Sequence, residues 1–360
     1  MRILIDIGHP AHVHLFRPFA KEMENQGHLI IFTYRTKEFE KELLDAYGFK
    51  SYCIGKHYKS RIGKVFGLVK FVLLILLISL KFKPDICLSH GSMYAAQVSS
   101  LLRKPHISLE DTGNMEQIRF YLPFTETILT PDVLNVDLGS KQIRYKSFHE
   151  LAYLLPQYFI PDRKIVENQN IKTNEKYAVI RFVSWHATHD KGQSGLTVLE
   201  IEKIIEYLSL KMKVLISSEG DLPVSLRKYE IHCNPQDIHH ILAFAEIVIS
   251  EGATMAAEAA VLGTPAIYIN SIIACNNEEL GKYGVVHNFR NGLGVLNKLQ
   301  EMINDSDLKV IAKMGQQKLL SNKINLTEFL IWFVVNFPGS FRTLKENPNY
   351  QDRFKINFCE

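Results

Sequence analysis

The stretch Glu246–Ile269, EIVISEGATMAAEAAVLGTPAIYI, reads as strand, turn, helix and strand in unbroken succession. Glu246–Ser250 and Pro265–Ile269 are short apolar runs, Thr254–Leu262 is rich in helix formers, and Gly252 and Gly263 stand at two of the junctions. Two buried strands joined by a helix form a parallel pair, because a parallel connection has to cross over the sheet. The turn also carries chemistry. Gly252 lets the backbone approach a ligand closely, and the N–H groups of Ala253, Thr254 and Met255 leave the helix N-terminus without intrahelical partners. Such a terminus is an anion site suited to a diphosphate. Thr254 could donate to phosphate, and Glu258, four residues on along the same helix face, could accept from ribose hydroxyls. The plainer reading makes Thr254 a helix cap, Glu258 a solvated helix residue and Gly263 a C-cap.

The same alternation extends in both directions. Upstream, Tyr177–Val183 and Lys213–Ser217 read as strands and Thr197–Leu210 and Pro235–Phe244 as helices, and downstream Leu293–Ile303 reads as a helix. The first part of the chain repeats the pattern, with strands at Arg2–Gly8, His28–Tyr34, Asp85–His90 and His106–Asp111 and helices between them. From Pro156 to Lys176 the pattern lapses into prolines, asparagines and mixed charge. Two Rossmann-like α/β arrays with parallel sheets and a ligand cleft between them are therefore expected. The divisions are an amino-terminal domain over 1–160, a linker over 161–176, a carboxy-terminal domain over 177–335 and a tail over 336–360.

Length and charge agree. A chain of 360 residues exceeds the usual single-domain size, and 46% hydrophobic with 22% charged residues describes a globular protein. A net charge of +4 without a basic motif argues against a nucleic-acid partner. The five cysteines lie without C-x-x-C spacing, and the chain opens on a strand-like run with no apolar leader, which favours a reduced, cytoplasmic setting. Val65–Leu80, VFGLVKFVLLILLISL, is too short to span a bilayer and is interrupted by Lys70. With Lys56, Lys59, Arg61 and Lys64 before it and Lys81 and Lys83 after, it suits either a core helix or one resting on the inner face of an anionic membrane.

The segment S-x-G-x-T-x-x-x-E-A-x-x-L-G-T-P at Ser250–Pro265 resembles the donor site shared by GT-B glycosyltransferases and UDP-GlcNAc 2-epimerases. A closer likeness is to a bacterial and archaeal family of that superfamily, a domain of unknown function. That family shows a G-H-P-A-H-V loop, a P-D-x-x-x-S-H-G-S strand end and an R-F-x-x-W-x-A-x-H-D segment. These stand here at Gly8–Val13, Pro84–Ser92 and Arg181–Asp190. The resemblance covers roughly residues 1–325. It implies a GT-B fold with the nucleotide-sugar donor, UDP-linked, on the carboxy-terminal domain. Gly252, Ala253, Thr254 and Met255 would then meet the diphosphate and Glu258 the ribose. Arg181 would neutralise phosphate charge, since a guanidinium binds such oxygens bidentately. Ser217, Ser218 and Glu219, at or just past a strand end, are further donor-side candidates.

The acid–base candidates lie in the first loop and at two later strand ends. His12, with His9 as second choice, follows the first strand beside Gly8, and imidazole titrates near neutral pH. His12-Val13 aligns with the H-V of the G-G-H-V loop in peptidoglycan GlcNAc transferases, although Pro10-Ala11 replaces the glycines. His12 is read as general base or oxyanion stabiliser. Glu110 and Asp111 offer carboxylates, while His90, Gly91 and Ser92 open a helix where acceptor or phosphate oxygens could sit. His186 and His189 belong to the same acceptor-side set. His9, His12 and His14 with His186, His189 and Asp190 also have zinc-like composition, but hydrogen-bonding roles are preferred and no metal or other cofactor is expected.

The expected activity is sugar transfer from a nucleotide-sugar to an acceptor, a lipid-linked one if the apolar segment meets a membrane, in cell-envelope polysaccharide or glycoconjugate assembly. A UDP-sugar 2-epimerase is the alternative, and a non-catalytic nucleotide-binding protein a further one.

Overall fold

The computed structural model describes residues 1–56, 58, 61–183 and 195–356. It divides into two compact units, 1–153 with 323–360 and 154–322.

The first unit runs β1 (Arg2–Ile7), α1 (Pro10–Asn25), β2 (Leu29–Thr36), α2 (Glu40–Ala46), β3 (Ser51–Lys56), α3 (Arg61–Phe82), β4 (Ile86–His90), α4 (Met93–Leu101), β5 (His106–Leu109), α5 (Met115–Tyr121), β6 (Thr127–Pro131) and β7 (Gln142–Tyr145). Its strands form one parallel sheet in the order β3-β2-β1-β4-β5-β6-β7. Ile3, Leu4 and Ile5 of β1 are fully buried, as expected for a central strand covered on both faces. The strand order reverses direction between β1 and β4, and in such sheets the strand ends at that point are where ligands are held.

The second unit runs α6 (Arg163–Glu167), β8 (Tyr177–Phe182), α7 (Val198–Ser209), β9 (Lys213–Ser218), α8 (Ile238–Phe244), β10 (Ile247–Ser250), α9 (Ala253–Val261), β11 (Ala266–Ile269), α10 (Cys275–Lys282), β12 (Val286–Phe289), α11 (Val295–Asn304) and α12 (Leu308–Ser321). Its parallel sheet has the order β12-β11-β10-β8-β9, so the reversal falls between β8 and β10. Ile180, Ile249 and Ile267 of three adjacent strands meet Ile201, Ile204 and Leu208 of α7 in one apolar cluster. Thr197 and Glu200 close a reciprocal capping box that starts α7.

The domain boundaries expected from the sequence need correction at the carboxy-terminal end. Residues 323–335 belong with the first unit, as does the tail. There α13 (Leu326–Val335) buries Phe329, Leu330 and Phe333 and is followed by α14 (Gly339–Glu346). The physical cause is the apolar face of α13, which contacts α1 and the 3-10 turn at His149–Ala152. Hydrogen bonds then fix the return: Thr327 Oγ1 donates to Ala152 O at 2.8 Å, and Ser147 Oγ to Ile324 O at 2.7 Å. The expected linker also has structure, since α6 lies within it and contacts α8.

The apolar segment is the larger part of α3. Phe71 and Ile75 are buried against Leu4, Ile31, Ile54, Cys87 and Val98, so one face belongs to the core. Among the described residues no helix is long and apolar enough to cross a membrane.

Candidate functional sites

In the first unit the chemistry gathers at the ends of β1, β4 and β5. His9 is the N-cap of α1, its Nδ1 accepting from Ala11 N–H at 3.2 Å, and Pro10 fills the first helical position. That cap starts the helix earlier than the sequence suggests and puts His12 in its first turn. His12 Nδ1 accepts from Gly8 N–H at 3.3 Å, so in the neutral ring the proton sits on Nε2. Gly8 matters here for space, because a Cβ at that position would lie 2.7 Å from Arg35 Nη2.

The His12 ring stacks on that of His90, with centroids 4.3 Å apart and planes 27° apart. His90 Nε2 donates to Asp111 Oδ1 at 2.9 Å, and His149 Nδ1 donates to Asp111 Oδ2 at 3.0 Å. Electrostatics separate the stacked pair. Burial, with the charge of His90 and of His9, holds His12 well below the usual imidazole range. Burial works against the charged form of His90 as well, but the hydrogen bond to Asp111 and its charge prevail, so His90 is raised. Burial likewise works against ionised Asp111, yet His149 and His90 keep its carboxyl well below the usual carboxylate range. The arrangement is a neutral imidazole, whose N–H donates, against a second imidazole held toward its charged form.

Several candidates at this end are bonded within the fold. Both oxygens of Glu110 are taken: Oε1 accepts from Thr112 N–H at 2.8 Å, Gly113 N–H at 3.0 Å and Thr112 Oγ1 at 2.5 Å, and Oε2 from Tyr121 OH at 2.6 Å. At 2% exposure, Glu110 accepts from four donors of its own loop and of Tyr121. The amides of Gly91 and Ser92, expected at a phosphate, are bonded within the fold. Gly91 N–H donates to Ser108 Oγ at 3.0 Å and Ser92 N–H to Ser89 Oγ at 3.1 Å, so neither amide is turned outward. Ser92 Oγ caps α4 by accepting from Ala95 N–H and donates to Asp6 at 2.6 Å. His14 is buried beside Tyr47 and stacked on Tyr153, away from the other two histidines of its loop motif.

Sequence reasoning missed Asp6, Arg35 and His149. Asp6 is 1% exposed and joins β1, β2 and α4 by accepting from Thr33, Arg35 and Ser92. Its only sequence signal is a carboxylate inside an apolar strand. His149 has no motif around it. Among the described residues, the side chains whose ligating atoms come within 4.8 Å of one another, as a divalent cation requires, are His90, Asp111 and His149. Among the described residues His9, His12 and His14 do not form such a set.

In the second unit the site lies where the sheet order reverses, at the ends of β8 and β10. Gly252 is the N-cap of α9 with no side chain capping the helix, Thr254 is exposed, and the first-turn N–H groups belong to Ala253, Thr254 and Met255. Arg181, opposite Ser250 in the ladder, runs past Gly252, where a Cβ would lie 3.9 Å from Arg181 Cγ. Its guanidinium is oriented by two acceptors, Ser217 Oγ at 2.7 Å and Glu219 Oε1 at 2.9 Å. Ser217 and Glu219 thus hold the arginine, while Ser218 Oγ accepts from Gly220 N–H at 3.2 Å in the following turn.

Glu258 is 5% exposed and bonded to His239 Nε2 at 2.8 Å, so it is not the solvated helix residue of the plainer reading. Glu251 was also missed. Its carboxylate accepts from Leu196 N–H at 3.0 Å and Val183 N–H at 3.3 Å, and burial raises its pKa against those two bonds. His186 and His189 lie outside the described residues.

Two parallel-sheet α/β units with these strand orders make a GT-B-type fold. The chain belongs to the family described as "Protein of unknown function (DUF354)", whose model matches residues 1–338. It is 22% identical over 325 residues to the uncharacterized protein MJ0665 of Methanocaldococcus jannaschii, covering 87% of this chain and 93% of that one. Among solved structures, the S. aureus MnaA–UDP co-structure superposes with a TM-score of 0.67 at 11% identity, covering 95% of this chain and 97% of that one. The Neisseria meningitidis UDP-GlcNAc 2-epimerase bound to UDP-GlcNAc gives 0.65 at 14%, covering 93% and 100%. The spinosyn rhamnosyltransferase SpnG with thymidine diphosphate gives 0.61 at 12%, covering 93% and 100%.

Proposed function

We propose that this protein is a glycosyltransferase that takes a sugar from a nucleotide-sugar donor, UDP-linked, and passes it to a lipid-linked acceptor in cell-envelope polysaccharide or glycoconjugate assembly. The observation that carries the reading is the side-chain-uncapped N-terminus of α9, with Arg181 held beside Gly252. Three first-turn amides and one fixed guanidinium suit the charge that builds on a departing diphosphate, and oriented donors of this kind are a main source of rate enhancement. Solved structures of the same fold hold UDP, UDP-GlcNAc and thymidine diphosphate, which supports a nucleotide ligand.

The amino-terminal unit carries proton-bearing groups of its own that suit transfer chemistry. Of the two roles expected for His12, the acceptor bond at Nδ1 favours Nε2–H as a donor to a developing oxyanion over a general base. His90, held toward its cationic form by Asp111, adds a second positive group beside it. No step here requires a metal. The lipid-linked acceptor is supported by the apolar length of α3 and the basic residues around it, which suit a peripheral place at the inner face of the membrane.

The 2-epimerase alternative shares the donor site but needs acid and base groups about C2 of the sugar. Of the two carboxylates offered for acid–base work, Glu110 is saturated by its own fold, which weakens that reading. A non-catalytic nucleotide-binding protein would keep the α9 site and show no turnover.

Calorimetric titration with UDP, GDP, CDP and ADP tests the binding step, followed by assay of labelled UDP-sugars with a lipid extract. A nucleotide at 100 times its dissociation constant should stabilise the fold by about 2.7 kcal/mol. Binding with transfer of label to lipid supports the proposal. Solvent deuterium at C2 without acceptor would replace it with the epimerase, and binding without turnover would replace it with the scaffold.

A further inference from the structure

Helix α3 is apolar on both sides, and only one side is used by the fold. Phe71, Ile75 and Ser79 face the core at 2%, 0% and 1% exposure. On the other side Phe66, Val69, Leu73, Leu77 and Leu80 are 63%, 57%, 53%, 62% and 54% exposed. Their spacing of three and four residues places them in one stripe along the helix. A continuous exposed stripe of large apolar side chains marks a surface that meets something other than water.

The charge around the stripe says what that is. Residues 57–84 contain no Asp or Glu, but they contain Lys59, Arg61, Lys64, Lys70, Lys81 and Lys83. At the carboxyl end of α3 an open pocket is lined by Arg2, Lys83 and Lys104 with Asp85, Gly27 and Leu29. It is tied to the helix, because Arg2 Nη1 donates to Phe82 O at 3.1 Å, and Arg2 N–H donates to Asp85 Oδ2 at 2.7 Å. Three cations against one carboxylate leave the pocket positive, and Leu29 at its wall is 55% exposed. An apolar stripe that ends in a cationic pocket has the two-part chemistry of a phospholipid, acyl chain beside phosphate.

We propose that this face docks on an anionic phospholipid bilayer, with α3 lying in the interface plane and a lipid phosphate held by Arg2, Lys83 and Lys104. The stripe enters the boundary between headgroups and acyl chains, while the basic residues stay at headgroup level. Each lysine near an anionic surface adds to the attraction, which weakens as salt screens it. The proposal rests on the lipid-linked acceptor reading and adds the docking face and the headgroup site.

The test is co-sedimentation of the full chain with phosphatidylcholine vesicles and with phosphatidylcholine–phosphatidylglycerol vesicles. The protein is expected to pellet with the anionic vesicles and to be released by salt. The double variant Leu73→Glu/Leu77→Glu should stay in the supernatant. Lys83→Glu/Lys104→Glu should partition at least about 30-fold less, since each lost lysine charge is worth about 1 kcal/mol at such a surface. UDP binding of both variants, read by calorimetry, should equal that of the parent chain, which shows that they are folded. A parent chain that ignores anionic vesicles overturns the proposal, as does a stripe variant that still pellets. So does sedimentation showing a dimer that Leu73→Glu/Leu77→Glu dissociates without any vesicle binding, because a second copy would then own the face. Vesicle binding by a chain that binds no nucleotide would leave this proposal standing and remove the donor-site reading.

Discussion

His12, in the first turn of α1, and His90, at the end of β4, stack at 4.3 Å with their protonation equilibria displaced in opposite directions. Two cationic rings at that distance would repel, so the neutral state of one and the charged state of the other support each other. Asp111 sets the asymmetry, since it bonds His90 directly and reaches His12 only through space. Groups whose environments push their pKa values apart mark a place where protons are handled.

Asp111→Asn should therefore move His90. Without the carboxylate charge, only the charge of Glu110 and a backbone hydrogen bond still oppose burial, and the His90 pKa falls. Histidine NMR titration reads this directly, and the alkaline limb of turnover, where His90 loses its proton, should move to lower pH with it. Stability follows the same groups. Folded Asp111 lies below its ordinary 3.8, so its contribution is present above that value and lost as pH falls through the folded pKa. Folded His90 lies above 6.5, so its contribution is present below that value and lost as pH rises through the folded pKa. Both act fully between 3.8 and 6.5, and the variant should lose most stability in that window. A His90 titration unchanged in Asp111→Asn would sink the assignment.

Gly252→Ala isolates the nucleotide site from the fold. At Gly252 φ is −90°, which alanine adopts freely, and the added Cβ would lie 3.4 Å from Val183 Cγ2 and 3.6 Å from Ser250 Oγ, ordinary contacts. Stability should change by less than about 0.5 kcal/mol. The methyl group would nevertheless stand at the mouth of the α9 terminus, and UDP affinity should fall at least tenfold by calorimetry. Arg181→Ala should lose a charge-assisted contact of about 1.5–3 kcal/mol, or roughly 10- to 150-fold in affinity. UDP binding that survives both changes would place the ligand elsewhere.

Most of the fold was legible because its central strands are short apolar runs between clear helix signals. The strands left unread, Ser51–Lys56, Thr127–Pro131, Gln142–Tyr145 and Val286–Phe289, include all but one of the sheet-edge strands. Edge strands keep a mixed pattern because one side of the ladder is unpaired. The turn into α9 was legible for the same local reason, since Gly252 and the helix after it are contiguous. The histidine cluster was not. His12, His90, Asp111 and His149 come from four separate segments of the chain, and only the sheet order brings them together. Glu110 stands beside Asp111 in sequence and looks equally chemical, but its side chain turns toward Tyr121 and the Thr112 turn. Nothing in an Glu-Asp pair says which of the two will be buried.

Glu258 shows how a plausible site variant can mislead. Glu258→Ala removes the partner of a histidine that is only 1% exposed and strands His239 Nε2 in the interior. An unsatisfied buried polar group costs about 1–3 kcal/mol, so this variant should melt earlier whether or not the ribose is involved. Glu258→Gln keeps an acceptor for His239 and should preserve much more of the stability. If Glu258 meets the ribose, UDP affinity falls in Glu258→Gln while the melting temperature holds near the parent value. Affinity that falls only in Glu258→Ala, together with the melting temperature, would assign Glu258 to the fold alone.

The cluster His90–Asp111–His149 can be read as a proton network or as a cation site, and metal removal separates the two. In the network each histidine donates to one carboxylate oxygen, at 2.9 and 3.0 Å, and His149 Nε2 is left buried without a hydrogen-bond partner. A cation would have to displace the protons that make those bonds, and Asp111 is already balanced by the imidazoles on either side. Dialysis against a chelator should accordingly leave the melting temperature and UDP-dependent turnover unchanged, and added zinc should not raise the melting temperature. His149→Gln, which retains a donor for Asp111, should keep most of the stability. A zinc-induced rise in melting temperature that disappears in His149→Ala and in Asp111→Asn would make the cluster a metal centre. His90 would then be a ligand, and the imidazolium role given to it would fall.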